Sequence, residues 1–168
     1  EMEFGRNDVL LCLGGGMICD LGGFMASIYK RGMNCVYIPT SLLAMVDAAI
    51  GGKNGIDVGV YKNMVGLIRQ PEFLLYDFSF LKSLPDAEWR NGFAEIIKHA
   101  VIKDAKMFAE LEQYSIPKYK KDAYALASLI QRNAMIKIKV VVEDEFEKGD
   151  RKLLNFGHTL GHAIENMY

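Results

Sequence analysis

The chain has 168 residues, of which 51% are hydrophobic and 24% charged, and its formal net charge at neutral pH is −1. This size and composition are typical of a globular protein with one domain or two small ones. Mixed charges with almost no net charge give no reason to expect binding to nucleic acid or to an anionic membrane surface. No apolar run approaches the ~18 residues of a membrane-spanning helix, so we expect no membrane partner either.

The cysteines indicate a reducing compartment. Cys12, Cys19 and Cys35 are odd in number and lack the spacing of a metal site, so the cytoplasm is the expected location.

The first apolar segment begins almost at once, and the last residues still follow a helical pattern. We therefore expect this chain to be a piece of a longer polypeptide.

Short apolar runs alternate with glycine loops and helical stretches in the first half of the chain. Asp8–Leu13 predicts a buried strand that enters the loop Gly14–Gly16, and a helical stretch follows to about Tyr29. A second strand is predicted at Val36–Ile38 and a third at Phe73–Tyr76. Strands that alternate with helices predict parallel βαβ units.

From Asp86 onward, helical periodicity dominates. Pro85 ends the preceding segment and Asp86 can cap a helix. We predict an α/β portion over residues 1–84 and an all-α portion over residues 85–168, with the functional site in the cleft between them. The predicted helices of the second portion cover residues 86–102, 105–113, 121–143 and 151–167.

The most informative polar pattern lies in the last predicted helix. In a continuous helix, four polar residues would share one face within roughly 60°, and they are Arg151, Asn155, His158 and His162. A solvated face is the alternative, but such faces usually mix Lys and Glu, so we expect this stripe to face a cleft. Gly157 and Gly161 each cost about 1 kcal/mol of helix stability, which suggests that another group approaches the backbone there.

Two glycine loops carry residues suited to phosphate. Gly14–Gly16 followed by Asp20 lies between a strand and a helix N-terminus, where backbone N–H groups can face a pyrophosphate. A simple tight turn explains this loop equally well, since it is not the G-x-G-x-x-G pattern. Lys53 follows two glycines, and Lys62 with Asn63 adds a second cation and an amide, which suit phosphates and hydroxyls. By spacing alone, Lys62 could equally be a surface lysine.

Glu95 and Lys98 share a helix face because they are three residues apart. A surface ion pair is the simple alternative, but their neighbours are apolar, which indicates a buried helix. A carboxylate and imidazoles form a credible zinc ligand set. His99 competes with His158 as a ligand by spacing, and we favour His158 because the other polar groups lie near it.

Several segments together resemble one family. They read GGGMICDLGGF, YKRG, IPTSLLAMVDAAIGGKNGID, YKNMVG, GFAEIIKHA and LLNFGHTLGHAIE. From about Leu10 to Glu165 the chain resembles 3-dehydroquinate synthase of the sugar phosphate cyclase superfamily. The resemblance implies that residues 1–84 are the later part of a Rossmann-like NAD-binding domain. It implies that residues 85–168 are the first part of an all-helical metal- and substrate-binding domain.

The resemblance also implies an activity. Family members convert 3-deoxy-arabino-heptulosonate 7-phosphate, a sugar phosphate, into 3-dehydroquinate and phosphate, a step of aromatic amino acid biosynthesis. NAD and a divalent metal, zinc or cobalt, are the implied cofactors, and a homodimer is the implied assembly.

The resemblance assigns a role to each matching residue. Glu95 and His158 correspond to two metal ligands, and a third is expected beyond Tyr168. Arg31 is expected to reach a phosphate across the dimer interface. The residues implied in substrate binding and catalysis are Lys98, Lys137, Arg151, Asn155 and His162, of which the last two would steer protons. The residues implied in NAD binding are Gly16, Met17, Ile18, Cys19, Asp20, Thr40, Ser41, Asp47, Lys53, Lys62, Asn63, Phe80, Leu81, Lys82 and Ser83.

Other interpretations stay open at this point. Ser41 and Asn54 stand where the family more often has Thr. Another sugar phosphate cyclase would tend to alter the GGK and NFGHTLGHA blocks, and a metal-dependent polyol or glycerol dehydrogenase would lack the lysine of EIIK. A non-catalytic piece is the remaining alternative. We expect the isolated chain to be inactive, because one metal ligand and the first strands of the nucleotide site are missing from it.

Overall fold

The computed structural model describes residues 4–59 and 61–165, without the side chains at 61–63, 159, 162, 163 and 165. The chain begins with strand β1 (Val9–Gly14), helix α1 (Gly16–Ile28) and strand β2 (Asn34–Pro39). β1 and β2 pair in parallel from Val9 opposite Asn34 to Gly14 opposite Pro39. The predicted parallel βαβ unit is therefore confirmed.

A π-helical turn (Ala44–Ala48) separates β2 from the next strand. The N–H of Ala49 donates to the carbonyl of Ala44 at 3.1 Å, five residues back, which is the spacing of a π-helix. The turn holds one residue more than an α-helical turn and carries Asp47.

An antiparallel hairpin, which was not predicted, follows this turn. Strand β3 (Lys53–Val58) pairs with strand β4 (Tyr61–Ile68), from Lys53 opposite Ile68 to Val58 opposite Tyr61. The hairpin is difficult to predict from the sequence because its glycines weaken the alternation of apolar and polar residues. Gly66 is needed for the pairing itself, because a Cβ there would lie 2.3 Å from the carbonyl oxygen of Asn54.

Strand β5 (Phe73–Leu74) completes the parallel sheet, whose strand order is β1-β2-β5. The helical portion follows. Its helices are α2 (Asp86–Lys103), α3 (Ala105–Gln113), α4 (Ile116–Lys121), α5 (Ala123–Glu143) and α6 (His158–Glu165). Of these, α4 was not predicted, and its Pro117 stands at the start of the helix, where proline is tolerated.

The prediction of one helix over residues 151–167 is wrong. A 3₁₀ turn (Asp150–Asn155) comes first, and α6 begins only at His158. Gly157 separates them with a φ of +83°, which an α-helix does not accommodate. Among the described residues, no atom lies within 4 Å of a Cβ built at Gly157 or at Gly161, so the predicted close approach to these glycines stays a prediction.

The main apolar core joins the α/β and helical portions. A Cβ at Gly92 on α2 would lie 2.6 Å from the Leu42 side chain, so the helix packs directly on the segment after β2. No helix in the described part of the chain is long and apolar enough to cross a membrane. The core consists of Leu42, Met45, Val46, Leu81, Trp89, Phe93, Ile96, Ala100, Met107, Tyr119, Leu126, Leu129 and Ile130.

Candidate functional site

A cleft of about 550 Å³ brings together residues from α1, the π-helical turn, the hairpin, α2, α5 and the segment that leads into α6. Four cations and two carboxylates are among its lining side chains, so the described lining favours an anionic ligand. The predicted site residues that line this central cleft are Asp20, Asp47, Lys53, Lys98, Lys137, Arg151, Asn155 and His158.

Asp47 and Lys137 form a buried ion pair in the central cleft. The Lys137 ammonium lies 2.6 Å from Asp47 Oδ1 and 2.7 Å from the Asp47 carbonyl oxygen. Burial alone would raise the pKa of Asp47, but the charge of Lys137, the nearby His99 imidazole and the charge of Lys98 hold it well below its usual range. Asp47 is therefore ionised at neutral pH, and its position fixes that of Lys137.

Asp20 lies on α1 and faces the same cleft. Burial raises the pKa of its carboxyl to about 6, and the negative charges of Asp47 and Asp57 add to the effect, while Lys137 opposes it. The cleft therefore holds two different carboxylates: nearby cations compensate the charge of Asp47, whereas burial makes Asp20 costly to ionise.

A second cluster lies at the buried side of α2. Glu95 Oε2 forms an ion pair with the Lys98 ammonium, and His99 Nε2 lies 3.5 Å from Asp47 Oδ1 and 4.0 Å from Glu95 Oε2. On the other edge of the imidazole ring, Nδ1 lies 2.9 Å from Asn133 Oδ1. Because the Asn133 amide nitrogen donates to the Ile96 carbonyl at 3.4 Å, its oxygen is the atom that faces His99.

The residues of this second cluster fit a divalent cation. Glu95 Oε2 and His99 Nε2 are buried, and neither makes a hydrogen bond of good geometry with a described residue, although Glu95 Oε2 is in ionic contact with the Lys98 ammonium. Ligand atoms of Asp47, Glu95 and His99 all lie within 4.8 Å of one another. Carboxylate oxygens and imidazole nitrogens are ordinary ligands of zinc and related ions. His158 lines the neighbouring cleft, and the pairing of Glu95 with His158 at one metal stays a prediction.

Arg151 is almost completely buried and uses its guanidinium on the backbone. It donates to the carbonyl of Gly51 at 2.8 Å and to the carbonyl of Glu145. These bonds tie the turn before Lys53 to the loop after α5. In addition to any contact with a ligand, Arg151 therefore holds two cleft segments in register.

Glu147 is a site residue that the sequence analysis missed. Its carboxylate contacts the Lys53 ammonium and also accepts a hydrogen bond from Asn155 Nδ2 at 2.7 Å. Three residues from three separate segments thus form one polar group. Since Asn155 belongs to the 3₁₀ turn and His158 to α6, the predicted single helix face for Arg151, Asn155, His158 and His162 is wrong, although the first three line one cleft.

The first of the residues predicted to bind NAD follow the carboxyl ends of β1 and β2. This edge of a parallel sheet is where ligands usually bind. The Thr40 N–H donates to the Gly14 carbonyl at 2.9 Å, and Ser41 Oγ accepts from the Ala44 N–H at 3.2 Å. Ser41 Oγ lies 3.5 Å from a Cβ built at Gly15, directly before the start of α1, which contains Gly16, Met17, Ile18, Cys19 and Asp20.

The remaining predicted residues are more scattered. Phe80, Leu81, Lys82 and Ser83 lie in a 3₁₀ turn (Phe78–Ser83), where Leu81 is part of the core. Arg31 is exposed and has a left-handed backbone, with a φ of 68°. Lys62 and Asn63 lie on β4 and His162 on α6, but the side chains of these three are outside the described part of the structure.

Family models match the whole chain. The model of the 3-dehydroquinate synthase N-terminal region covers residues 1–91, and the model of the C-terminal region covers residues 92–168. The chain belongs to the 3-dehydroquinate synthase family. The two matches meet inside α2, and the predicted division at residues 84 and 85 stays a prediction.

Similar proteins carry the same family name. The chain is 46% identical over 166 residues to 3-dehydroquinate synthase of Halalkalibacterium halodurans, with 98% of this chain and 46% of the relative covered. It is 45% identical to 3-dehydroquinate synthase of Saccharolobus solfataricus, with 98% and 47% covered. The chain thus spans about half the length of the curated relatives it matches.

Solved structures of related synthases share the fold. One is 2-epi-5-epi-valiolone synthase from Streptomyces hygroscopicus with NAD⁺ and Zn²⁺ bound, with a TM-score of 0.85 and 34% identity over 92% of this chain and 44% of that one. Another is 2-deoxy-scyllo-inosose synthase with carbaglucose-6-phosphate, NAD⁺ and Co²⁺, with a TM-score of 0.87 and 30% identity over 96% and 44%. The predicted α/β portion followed by a helical portion is therefore confirmed as the fold of this family.

Asn54 shows what sequence reasoning could not find. In the sequence, nothing in the pattern around Asn54 indicates a structural role for it. In the structure its buried amide donates to the carbonyls of Gly52 and Arg69, both at 2.9 Å, and accepts from the Tyr37 hydroxyl at 2.5 Å. Asn54 therefore fixes the hairpin on β2, and only the hairpin, which was not predicted, could have revealed this role.

Proposed function

We propose that the protein to which this chain belongs is a 3-dehydroquinate synthase. Its reaction would convert 3-deoxy-arabino-heptulosonate 7-phosphate into 3-dehydroquinate and phosphate. The observation that carries the proposal is the difference in identity: about 46% to 3-dehydroquinate synthases over nearly the whole chain, against 30–34% to two other cyclases. The cationic lining of the central cleft supports it, because the substrate carries a carboxylate and a phosphate.

The described residues divide into two sets by chemistry. Lys98 and Lys137 would bind the anionic and hydroxyl groups of the substrate, since each is held by a carboxylate and points to the cleft. Lys53 from the hairpin and Asn155 from the 3₁₀ turn would bind substrate or NAD. With His162, Asn155 would steer proton movement, as the family resemblance implies.

Cofactors supply the remaining chemistry. NAD would accept and return a hydride, and a divalent metal held by Glu95 and His158 would polarise the carbonyl and orient the hydroxyls. Residues around the start of α1 and the ends of β1 and β2 would bind NAD, because backbone N–H groups at a helix N-terminus suit a pyrophosphate.

Phosphate release decides between the candidate functions. The full-length protein is incubated with the heptulosonate phosphate, NAD and Zn²⁺ or Co²⁺, and inorganic phosphate is measured. Release from this substrate but not from glucose 6-phosphate is the expected result. NAD reduction with glycerol and no phosphate release would favour a polyol dehydrogenase instead.

Assembly and location are part of the proposal. Arg31 is exposed on a left-handed turn, which suits a side chain that reaches a phosphate in a second subunit of a homodimer. Measuring the molar mass of the full-length protein in solution tests the homodimer. A loss of phosphate affinity in Arg31→Ala tests the contact of Arg31 with the phosphate. The three described cysteines are unpaired, which is compatible with the expected cytoplasmic location.

A further inference from the structure

One carboxylate connects two polar side chains that come from separate segments of the chain and line the central cleft. Glu147 Oε2 contacts the Lys53 ammonium on β3, and Glu147 Oε1 accepts from Asn155 Nδ2 at 2.7 Å on the 3₁₀ turn. Lys53 and Asn155 both line the cleft. The position of Glu147 therefore influences where both side chains point.

Hydrogen bonds within the loop that carries Glu147 fix the conformation of this loop. The carboxylate of Asp144 accepts from the N–H groups of Lys148, Gly149 and Arg151 at 2.8, 2.7 and 3.1 Å. Glu147 has a left-handed backbone with a φ of 56°, which is unfavourable for a residue with a side chain. A strained conformation kept by such a bonded loop indicates that the direction of this carboxylate matters.

Glu147 and Lys53 form an ion pair. Burial raises the pKa of Glu147, but hydrogen bonds from Lys53 and Asn155 and the charges of Lys53 and Arg151 outweigh it and leave the pKa below its ordinary value. The Lys53 side chain is 51% exposed, so its ammonium can exchange one anionic partner for another at little cost in desolvation.

We propose that Glu147 and a phosphate group compete for Lys53. A phosphate dianion attracts an ammonium more strongly than a carboxylate does at the same distance, and it repels a carboxylate nearby. A phosphate that binds Lys53 therefore displaces Glu147, and this displacement also frees the amide of Asn155 to face the ligand. The inference rests on the proposed function only in taking the phosphate from a sugar phosphate, a monoester close to a dianion, or from the pyrophosphate of NAD, whose two phosphates carry one negative charge each and displace Glu147 less strongly.

Binding of inorganic phosphate and of NAD to the full-length protein tests the competition. Glu147→Gln keeps the size of the side chain and removes its charge, so the dissociation constant should fall by about two- to fivefold, the range measured for exposed ion pairs. A gain for inorganic phosphate assigns Lys53 to the sugar phosphate, and a gain for NAD alone assigns it to the cofactor. Glu147→Ala, which removes both contacts, should give the same tightening.

Glu145→Gln is the matched control. It makes the same change of charge in the same loop, but Glu145 contacts Gln70 at 3.5 Å and not Lys53. The Glu145→Gln protein should bind phosphate as tightly as the unsubstituted protein does. When Lys53→Met is combined with Glu147→Gln, the gain in phosphate affinity should disappear. Unchanged or weaker binding of both ligands in Glu147→Gln, or equal gains in both glutamate variants, would overturn the proposal. Neither result depends on turnover, so failure of the proposed function would be seen separately in the phosphate-release assay.

Discussion

Replacing Lys137 by Met removes the cation that compensates Asp47 inside the central cleft. The two charges are 2.6 Å apart, and their side chains are 10% and 24% exposed. At an effective dielectric constant of about 20, the gross attraction at this distance is about 6 kcal/mol, and desolvation offsets much of it. Breaking a buried pair costs roughly 3–5 kcal/mol in measured cases. Because Asp47 keeps some exposure and still has Lys98 and His99 nearby, we expect the lower end, about 3 kcal/mol.

Urea unfolding of the full-length protein measures this loss. Lys139→Met is the matched control, since Lys139 is exposed on the same helix, and its free energy of unfolding should change by less than about 0.5 kcal/mol. Adding Asp47→Asn to Lys137→Met should restore part of the loss, because the stranded charge is then gone. A Lys137→Met protein as stable as the Lys139→Met control would refute the reasoning.

Three further predictions concern stability. Asn54→Ala leaves a buried tyrosine hydroxyl and two carbonyls without their partner, so urea unfolding should show a loss of about 2–4 kcal/mol, against about 0.5 kcal/mol or less for the exposed Asn91→Ala. Asp20→Asn should raise the melting temperature at about pH 7.5 but not below about pH 4. The pKa of Asp20 rises from about 3.9 unfolded to about 6 folded, so stability falls as the pH rises between these values, and equal gains at both pH values would contradict this. Gly92→Ala should cost about 1–3 kcal/mol by overpacking, and in a double-mutant cycle with Leu42→Ala the two losses should not add.

The sequence predicted those elements whose signal is local. β1 and β2 lie inside continuous apolar runs, so their strands were found to within a residue or two. The hairpin was missed because its glycines serve close backbone pairing, which is a long-range requirement. The break at Gly157 was missed for a related reason: a positive φ leaves no mark on the apolar periodicity around it.

The candidate site was predicted best where a residue type is unusual for its surroundings. Lys98 and Lys137 lie in apolar helical segments, and both face the central cleft. Glu147 lies in a charged stretch that reads as an ordinary solvated loop, and its role depends on Lys53, 94 residues away in sequence. Asn133 was missed because a single amide in a helix has no pattern, although in the structure it orients His99.

The π-helical turn at Ala44–Ala48 makes the cleft sensitive to length as well as to composition. Because the turn contains one residue more than an α-helical turn, deleting a single residue there would restore ordinary winding and rotate the following side chain by about 100°. Asp47 would then face away from Lys137, and the buried ammonium would lose both its carboxylate and its carbonyl acceptor. Within this segment, the number of residues between Thr40 and Gly51 is thus as strictly constrained as the identity of Asp47.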